Sequence, residues 1–420
     1  MLSGGRSNAA TSIRLSAGPL RNRAGLLKKP YKSSPLSEQE RVLTLPMLLL
    51  LCITFAAFVG FYLLLSVVPL YTERAGGGSA GAGMATAALM LSTVVVQLRM
   101  PQLIRLAGYR VVLVAGLLLL GLPALMYIIA PNVLTVLVIT LVRGAGFGIL
   151  TVTFFALVVE LAPSERRGEA IGLLGVAITL PGIFGNALGL WIADQVGFGL
   201  VFLLGGSIPL LAFGLAQGLR NVESPHQNEE NSVAGFLSGF SRPRLLRICL
   251  LFASSTVAFG VVFTFLPLAA SRTAPFSAAI ALLLVGLMNT LCRWWAGRYC
   301  DRHAPIHLLS PALLIAAFGM AALSYPGWVL LAGAVLFGSG LGLLQSTTLT
   351  MIMNRVDKAE YGLGSTLWNV AYDTGIGLGA FGLGLLIPVM GFDVVFYLCS
   401  ALLASALLLV YADRSTERSA

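Results

Sequence analysis

Stretches of about 20 consecutive apolar residues recur along nearly the whole chain after residue 43, and each could cross a hydrocarbon core of about 30 Å as a helix. We predict twelve such spans, joined for the most part by short loops. Their bounds are 44–71, 82–104, 111–130, 133–160, 169–193, 199–218, 246–268, 276–298, 306–325, 328–353, 363–388 and 392–411. The pattern therefore predicts an all-α protein that crosses a lipid bilayer many times.

The composition agrees with a chain that lies mostly in lipid. Of the 420 residues, 57% are hydrophobic and only 10% are charged, whereas about 25% are charged in ordinary soluble domains. The net charge is +10, but almost all lysine and arginine residues fall in the two tails and in alternate loops. The exceptions are Arg74 and Arg272 on the opposite side and Arg143 within a span. Because basic residues concentrate in short cytoplasmic loops, we expect both termini in the cytoplasm of a bacterial cell, a plasma-membrane (inner-membrane) location and no nucleic-acid partner.

A polar stretch between Arg220 and Arg247 divides the spans into two sets of six. The segments expected are an N-terminal half over 43–219, a central cytoplasmic loop over 220–245, a C-terminal half over 246–412 and a tail over 413–420. Residues 1–42 are basic and rich in serine, and we interpret them as a disordered cytoplasmic tail, with a transit peptide as the alternative. The five cysteines suggest no disulfide framework and no metal-ligand spacing, so neither a metal nor a cofactor is predicted.

The two sets of six spans carry an internal repeat. A shift of 194 residues places RGAGFGILT, 143–151, over FGSGLGLLQ, 337–345, so that glycines and a leucine coincide. The same shift places GFGLVFLL at 197 over GFDVVFYL at 391. An even number of spans per copy gives both copies the same orientation. This is the parallel repeat of transporters whose halves rock about a site near the midplane.

Short motifs resemble signatures of the major facilitator superfamily. GRYCDRHA, Gly297 to Ala304, is similar to the family's loop signature Gly-x-x-x-Asp-Arg-x-Gly, and Arg143 with Gly146 and Gly148 resembles its arginine and glycines in span 4. GVAITLPGIFGNALG, 175–189, approximates the span 5 pattern of exporters, with its proline and glycine in reversed order. The resemblance implies a twelve-helix secondary transporter in two pseudo-symmetric halves, similar to bacterial efflux permeases.

The resemblance also implies a cytoplasmic latch in the loop between spans 8 and 9. In the family, the acid of this loop pairs with groups at a neighbouring helix end in one conformation and releases them in the other. Asp301 would take that role, with Arg302 as an ion-pair partner and Gly297 allowing close helix approach. The first-half loop departs from the pattern, since it carries Arg105 in place of the acid and ends at Arg110. The alternative is that this loop only sets the orientation.

Arg143 lies near the bilayer midplane, about 15 Å into span 4 at about 1.5 Å per residue. An arginine at that depth costs about 2.5 to 3.5 kcal/mol on the more lenient insertion scale, which suggests a use for it. We interpret it as a group that attracts an anionic part of the substrate or holds a carboxylate, since guanidinium does not release its proton. The alternative is that it bonds carbonyls and hydroxyls inside the first half.

Asp373 lies at comparable depth in span 11. It shares one helical face with Thr366 and Asn369, because the three residues are spaced i, i+3 and i+7. A carboxyl group in low dielectric takes up a proton more readily than one in water, and a nearby cation opposes this. Asp373 is therefore our candidate for coupling proton and substrate occupancy, and a structural bond to a neighbouring helix is the alternative.

Other residues of the spans are weaker candidates. Polar residues that could line the substrate route, or only pack helices, are Tyr62, Ser66, Thr179, Asn186, Asn289, Gln345 and Thr348. Residues suited to close helix packing are Gly146, Gly148, Pro181, Gly185, Gly189, Gly375 and Gly379.

These features predict a monomeric transporter that exports a small molecule in exchange for protons, through a cavity between its halves. The cargo would be a drug, a metabolite or a siderophore-like compound. Import of a small anionic or sugar-like metabolite is the alternative. No glycine-rich loop with a lysine is present in the sequence, which argues against ATP-driven pumping. A membrane receptor or embedded enzyme that does not transport would need a cytoplasmic output domain or a catalytic constellation, and the sequence indicates neither.

Overall fold

The computed structural model describes residues 42–163, 166–219, 242–270, 275–356 and 361–418. Within these ranges every regular element is a helix, and the all-α fold is confirmed. Residues 1–41 and most of the predicted central loop lie outside the described residues. The predictions for these two segments therefore stay predictions.

Thirteen α-helices run through the described part of the chain. In order they are α1 Leu45–Leu65, α2 Val67–Thr72, α3 Gly78–Met126, α4 Val133–Leu161, α5 Arg167–Gln195, α6 Phe198–Ala216, α7 Pro243–Ala270, α8 Pro275–Cys300, α9 Ile306–Ala322, α10 Trp328–Met353, α11 Tyr361–Leu378, α12 Gly384–Ser405 and α13 Leu407–Arg418. Short π-helical turns over Glu73–Gly77 and Gly379–Leu383 join α2 to α3 and α11 to α12.

Two of these helices turn sharply and contribute to two spans each. The turn in α3 is at Gly108, with φ of 74°, and the turn in α12 is at Gly391, with φ of 82°. Glycine adopts this left-handed backbone without steric cost, which is why the turns occur there. Leu45–Ile129 therefore contains three spans and Leu363–Ala412 contains two. With six single apolar helices and the shorter α9, the described residues supply the twelve predicted spans.

The helix ends differ from the predicted span ends at several places. Span 1 is broken at Ser66 into α1 and α2, and the final helix continues to Arg418, beyond the predicted end at 411. Hydropathy marks where a helix leaves lipid, and backbone hydrogen bonding can continue beyond that point. The sequence pattern therefore located the membrane crossings better than it located the helix ends.

Equivalent glycines pack alike in the two halves. Gly144 on α4 lies against the carbonyl of Leu89 on α3, and Gly338 on α10 lies against the carbonyl of Val285 on α8. A Cβ at either glycine would collide with that backbone carbonyl, which cannot move aside as a side chain can. Span 2 therefore approaches span 4 as span 8 approaches span 10, which is the pseudo-symmetry that the repeat predicts.

The two halves touch at one end of the molecule. The hydroxyl oxygens of Thr86 on α3 and Thr264 on α7 are 2.8 Å apart, and Gly83 lies against the carbonyl of Ala380. Towards the opposite end, near the turn at Gly108 and the start of α11, the halves separate around a cavity. The structure is therefore closed at the end that holds Gly83 and open at the end of the predicted cytoplasmic loops.

Candidate substrate and proton site

The cavity between the halves has a volume of about 440 Å³. Helices of the N-terminal half and of the C-terminal half both contribute to its wall, and Pro101 and Ile104 line it near the predicted cytoplasmic loop between spans 2 and 3. The described residues hold no cluster of three or more histidine, cysteine or acidic side chains that could bind a metal ion. The chemistry of this cavity therefore comes from its own polar side chains.

Six of the eleven residues predicted for the substrate or proton route line this cavity. They are Tyr62, Thr179, Gln345, Thr366, Asn369 and Asp373. The other five, Ser66, Arg143, Asn186, Asn289 and Thr348, are not among its lining residues in the described part of the chain. The face of α11 predicted from the i, i+3, i+7 spacing does line the cavity.

Asp373 is held by a residue of the other half. Its Oδ2 accepts a hydrogen bond of 2.9 Å from Nε2 of Gln97 on α3, and Gln97 Nε2 is also 3.2 Å from the Thr151 hydroxyl on α4. The Asp373 side chain is 5% exposed, so this bond lies away from bulk solvent. Gln97 was not selected from the sequence, although a primary amide inside the apolar run VVVQLRM is an available signal.

The cation of the cavity is Arg293 on α8. Its Nη1 donates to Gln345 Oε1 at 3.2 Å, and its guanidinium carbon lies 5.8 Å from the centre of the Trp368 ring. Arg293 was not selected from the sequence, because it lies close to Arg298 at the predicted end of span 8 and resembles one more cytoplasmic charge. The helix continues to Cys300, which places Arg293 about two turns inside it. This corrects the sequence-based view of Arg143 as the one arginine inside the spans.

Gln97 and Arg293 occupy related positions in the two halves. Gln97 donates to Thr151, Arg293 donates to Gln345, and Thr151 and Gln345 are equivalent under the 194-residue repeat. The same repeat makes Thr179, which also lines the cavity, the equivalent of Asp373. Gln97 and Thr179 of the N-terminal half are neutral, whereas their counterparts in the C-terminal half are a cation, Arg293, and an acid, Asp373.

An aromatic wall adjoins Arg293. The Trp368 ring stacks on Phe252 at 4.7 Å and on Tyr372 at 5.7 Å between ring centres. Trp368 Nε1 donates to the Thr348 hydroxyl at 3.2 Å, so Thr348 holds this wall from behind instead of lining the cavity. Stacked rings of this kind offer a flat surface to a cationic or apolar part of a ligand.

Arg143 is buried and bonds to backbone. Its Nη2 donates to the carbonyls of Gly60 and Phe61 on α1 at 3.2 Å each, and the guanidinium lies 5.9 Å from the Phe61 ring. The side chain is 1% exposed. These contacts are those of the alternative in which Arg143 bonds carbonyls inside the first half, and they tie α4 to α1.

The residues predicted for packing do lie against neighbouring helices. Gly146 faces Gly116, Gly148 faces Thr93, Gly185 and Gly189 face Tyr62 and Leu63, Gly375 faces Thr256, Gly379 faces Val257, and Pro181 is buried within α5. Asn186 accepts a bond of 3.3 Å from the Ser66 hydroxyl, and the backbone carbonyl of Asn289 lies against Gly342. These contacts join α5 to α1 and α10 to α8.

The predicted latch residues lie at the open end. Asp301 and Arg302 are exposed, and in the described ranges Asp301 makes no ion pair. Gly297 is half-buried beside Ser346. In the first-half loop Arg105 is exposed, while Arg110 Nη2 donates to the side chain of Gln217 at 3.0 Å. A latch that closes this end would therefore be released in the conformation seen here.

Comparison with known proteins identifies the family of this chain. The family model of the Major Facilitator Superfamily matches residues 50–380. The chain is 22% identical over 277 residues to the staphylopine export protein of Staphylococcus aureus (strain Mu50), covering 63% of this chain and 70% of that protein. It is also 22% identical over 348 residues to the uncharacterized MFS-type transporter MJ1560 of Methanocaldococcus jannaschii, covering 80% and 90%.

The fold is shared with a solved transporter. The crystal structure of a D-xylose-proton symporter superposes with a TM-score of 0.72 at 14% identity, covering 86% of this chain and 96% of that one. This likeness concerns the fold alone. The family match over residues 50–380 shows that the chain belongs to the Major Facilitator Superfamily, whose members are membrane transporters and not enzymes.

Proposed function

We propose that the protein exports a small organic molecule in exchange for protons by alternating access, and that Asp373 carries the proton. The observation that supports this most is the position of Asp373, a buried carboxyl group in the cavity wall that is bonded to the opposite half through Gln97. A protonatable group can couple two processes if its protonation changes how the halves interact. The bond between Asp373 and Gln97 gives Asp373 a position where this would happen.

Protonation of Asp373 changes its bond to Gln97. A carboxylate accepts the Gln97 amide hydrogen in a charge-assisted bond, which is about twice as strong as a bond between neutral groups. The Oε1 atom of Gln97 has no hydrogen-bond partner among the described residues, so rotation of the amide would let it accept from a protonated Asp373. When Asp373 takes up a proton, the bond between the halves therefore weakens, and Asp373 becomes the donor in place of Gln97.

The charges of the cavity support a cargo that carries both signs. Asp373 and Arg293 line the same cavity, and in the described part of the chain they make no ion pair with each other. An ammonium group of the cargo would neutralise Asp373 and an acidic group would pair with Arg293, beside the aromatic wall. Bound ammonium and bound proton then exclude one another at Asp373, which is the condition for exchange.

Export is the direction that we propose. The cavity opens at the end where the basic loops lie, which is the cytoplasmic side if basic residues face the cytoplasm. The staphylopine export protein, which is similar over 277 residues, is an exporter by its name. At that same end Asp301 would act as the latch when the cavity faces outward.

Proton movement in proteoliposomes tests this function. Purified protein is reconstituted with a pH dye in the lumen, and amino acids and other zwitterions are added from outside. We expect wild type and Asp393→Asn to move protons when a cargo is added, since Asp393 is an exposed acid outside the cavity. Asp373→Asn should bind cargo more weakly because it loses the charge that faces the ammonium group. At saturating cargo it should keep cargo exchange without a pH gradient but lose the proton movement.

A second measurement separates coupling from folding. Exchange of labelled cargo across the membrane with no gradient reports whether Asp373→Asn still binds and changes conformation. Proton movement that persists in Asp373→Asn would refute the coupling role of Asp373. Cargo that accumulates together with protons, instead of against them, would favour import.

A further inference from the structure

A second cavity, of about 320 Å³, lies beside the central one, between α3 and α11. Its wall is almost entirely apolar, with Met84, Ala87 and Val94 on α3 and Gly377 on α11 among its residues. Among the described residues of its wall, Asp373 is the only charged one, and Asp373 also lines the central cavity. Asp373 therefore lies where the two cavities meet.

This side cavity opens towards the lipid. Leu91 and Leu378 at its edge are each 62% exposed, and Phe381 is 43% exposed. In a chain that spans a bilayer, exposed apolar side chains of this kind contact acyl chains. A molecule dissolved in the membrane could therefore enter the side cavity without passing through water.

The gap exists because a side chain separates the two helices. The Cβ position of Gly377 on α11 is 3.1 Å from Cβ of Met90 on α3. The corresponding contact on the other side of the cavity joins α8 to α5. There Gly286 lies directly against the backbone of α5, with its Cβ position 3.0 Å from the Gly182 carbonyl oxygen. Backbone-to-backbone contact brings α5 and α8 close together, whereas Met90 holds α3 away from α11.

We propose that the cargo is an amphiphile, whose apolar chain occupies the side cavity while its charged head group reaches Asp373 and Arg293. This inference rests on the proposed function and names the class of its cargo. An apolar chain loses little when it passes from lipid into an apolar cavity, since both surroundings are hydrocarbon-like. Selection of the cargo then depends on its head group, whose ammonium group contacts the Asp373 carboxylate at the junction of the two cavities.

Two amino acids that differ only in chain length test the inference. The probes are 2-aminobutanoic acid and 2-aminodecanoic acid, which share one zwitterionic head group, and binding is measured on full-length protein in lipid nanodiscs. Leu91→Trp places a large ring in the mouth of the side cavity. Leu287→Trp is the matched control. Leu287 on α8 corresponds to Leu91 on α3 when Val285 is aligned with Leu89, as in the glycine contacts of the two halves, and it is 37% exposed and away from that cavity.

We expect wild type and Leu287→Trp to bind the long-chain probe at least tenfold more tightly than the short-chain probe, since each methylene taken from water is worth about fourfold. Leu91→Trp should lose most of this preference and keep its affinity for the short-chain probe. Partition of the probe into lipid cancels, because all variants are compared in the same nanodiscs. Ala88→Phe, which fills the same cavity from a second position, should repeat the effect.

The inference is overturned if wild type shows no preference for the long chain, if it binds neither probe, or if Leu91→Trp keeps the full preference. Proton movement driven by the short-chain probe is measured in parallel. If wild type prefers the long-chain probe but the short-chain probe drives no proton movement, the proposed function is refuted. If the short-chain probe drives proton movement but wild type shows no preference for the long chain, only the role of the side cavity is refuted.

Discussion

Gln97 and Asp373 are joined by a hydrogen bond of 2.9 Å although 276 residues separate them in the chain. The bond runs from α3 of the N-terminal half to α11 of the C-terminal half, in the wall of the central cavity. It is therefore one of the contacts between the halves that a rocking motion would have to change. Its strength depends on whether Asp373 carries a charge.

Replacing Gln97 with leucine should shift the protein away from the conformation seen here. A hydrogen bond to a charged group contributes about 1.5 to 3 kcal/mol, so the equilibrium should move by about 10- to 100-fold. The measurement is the rate at which a water-soluble maleimide labels Ala156→Cys, a cavity position, in a chain without its five native cysteines. Labelling should slow in Gln97→Leu. An unchanged rate would mean that the bond does not stabilise this conformation.

Arg143 and Arg293 should differ in what their removal does. Arg143→Met deprives the Gly60 and Phe61 carbonyls of their cationic donor and should lower stability by about 2 kcal/mol. Arg293→Met should leave the melting temperature nearly unchanged, since Arg293 lines an open cavity, but should abolish binding of cargo with an acidic group. Thermal melting and ligand binding on both variants check this. Equal stability losses would contradict it.

Gly83→Ala should prevent full closure of the end where the halves touch. A methyl group at Gly83 would collide with the Ala380 carbonyl across the halves, and backbone cannot yield as a side chain can. Gly81→Ala is the control on the same helix, since its Cβ would be 3.4 Å from the Thr72 side chain, an ordinary contact. We expect Gly83→Ala to reduce transport at least tenfold and Gly81→Ala to keep it. Distances between spin labels on the two halves would show the altered closure directly.

Asp301→Asn should slow transport without weakening cargo binding. Asp301 is exposed and makes no ion pair among the described residues in this open conformation, so a latch through Asp301 would form only after the cavity closes at this end. We expect the transport rate to fall about tenfold, corresponding to about 1.4 kcal/mol, with an unchanged dissociation constant in nanodiscs. A weaker binding constant with a normal rate would exclude the latch role.

Sequence alone could identify part of the site. The spacing of Thr366, Asn369 and Asp373 puts them on one face because helix geometry is local, and this face does line the cavity. Gln97 and Arg293 were missed for a different reason. Whether a polar residue within a span faces the cavity, a neighbouring helix or lipid depends on how its helix is rotated in the bundle, and no local pattern reports that rotation.

The sequence by itself determined the twelve crossings and the duplication of six spans, because both follow from apolar run length and from residue identity at a constant shift. Only the tertiary structure decided which arginine faces the cavity and which partner holds Asp373. Arg143 and Arg293 each lie within a mostly apolar helix, yet α4 turns one towards backbone carbonyls and α8 turns the other towards open space. Such contacts arise from the packing of helices far apart in the chain, which is set by all of the helices together.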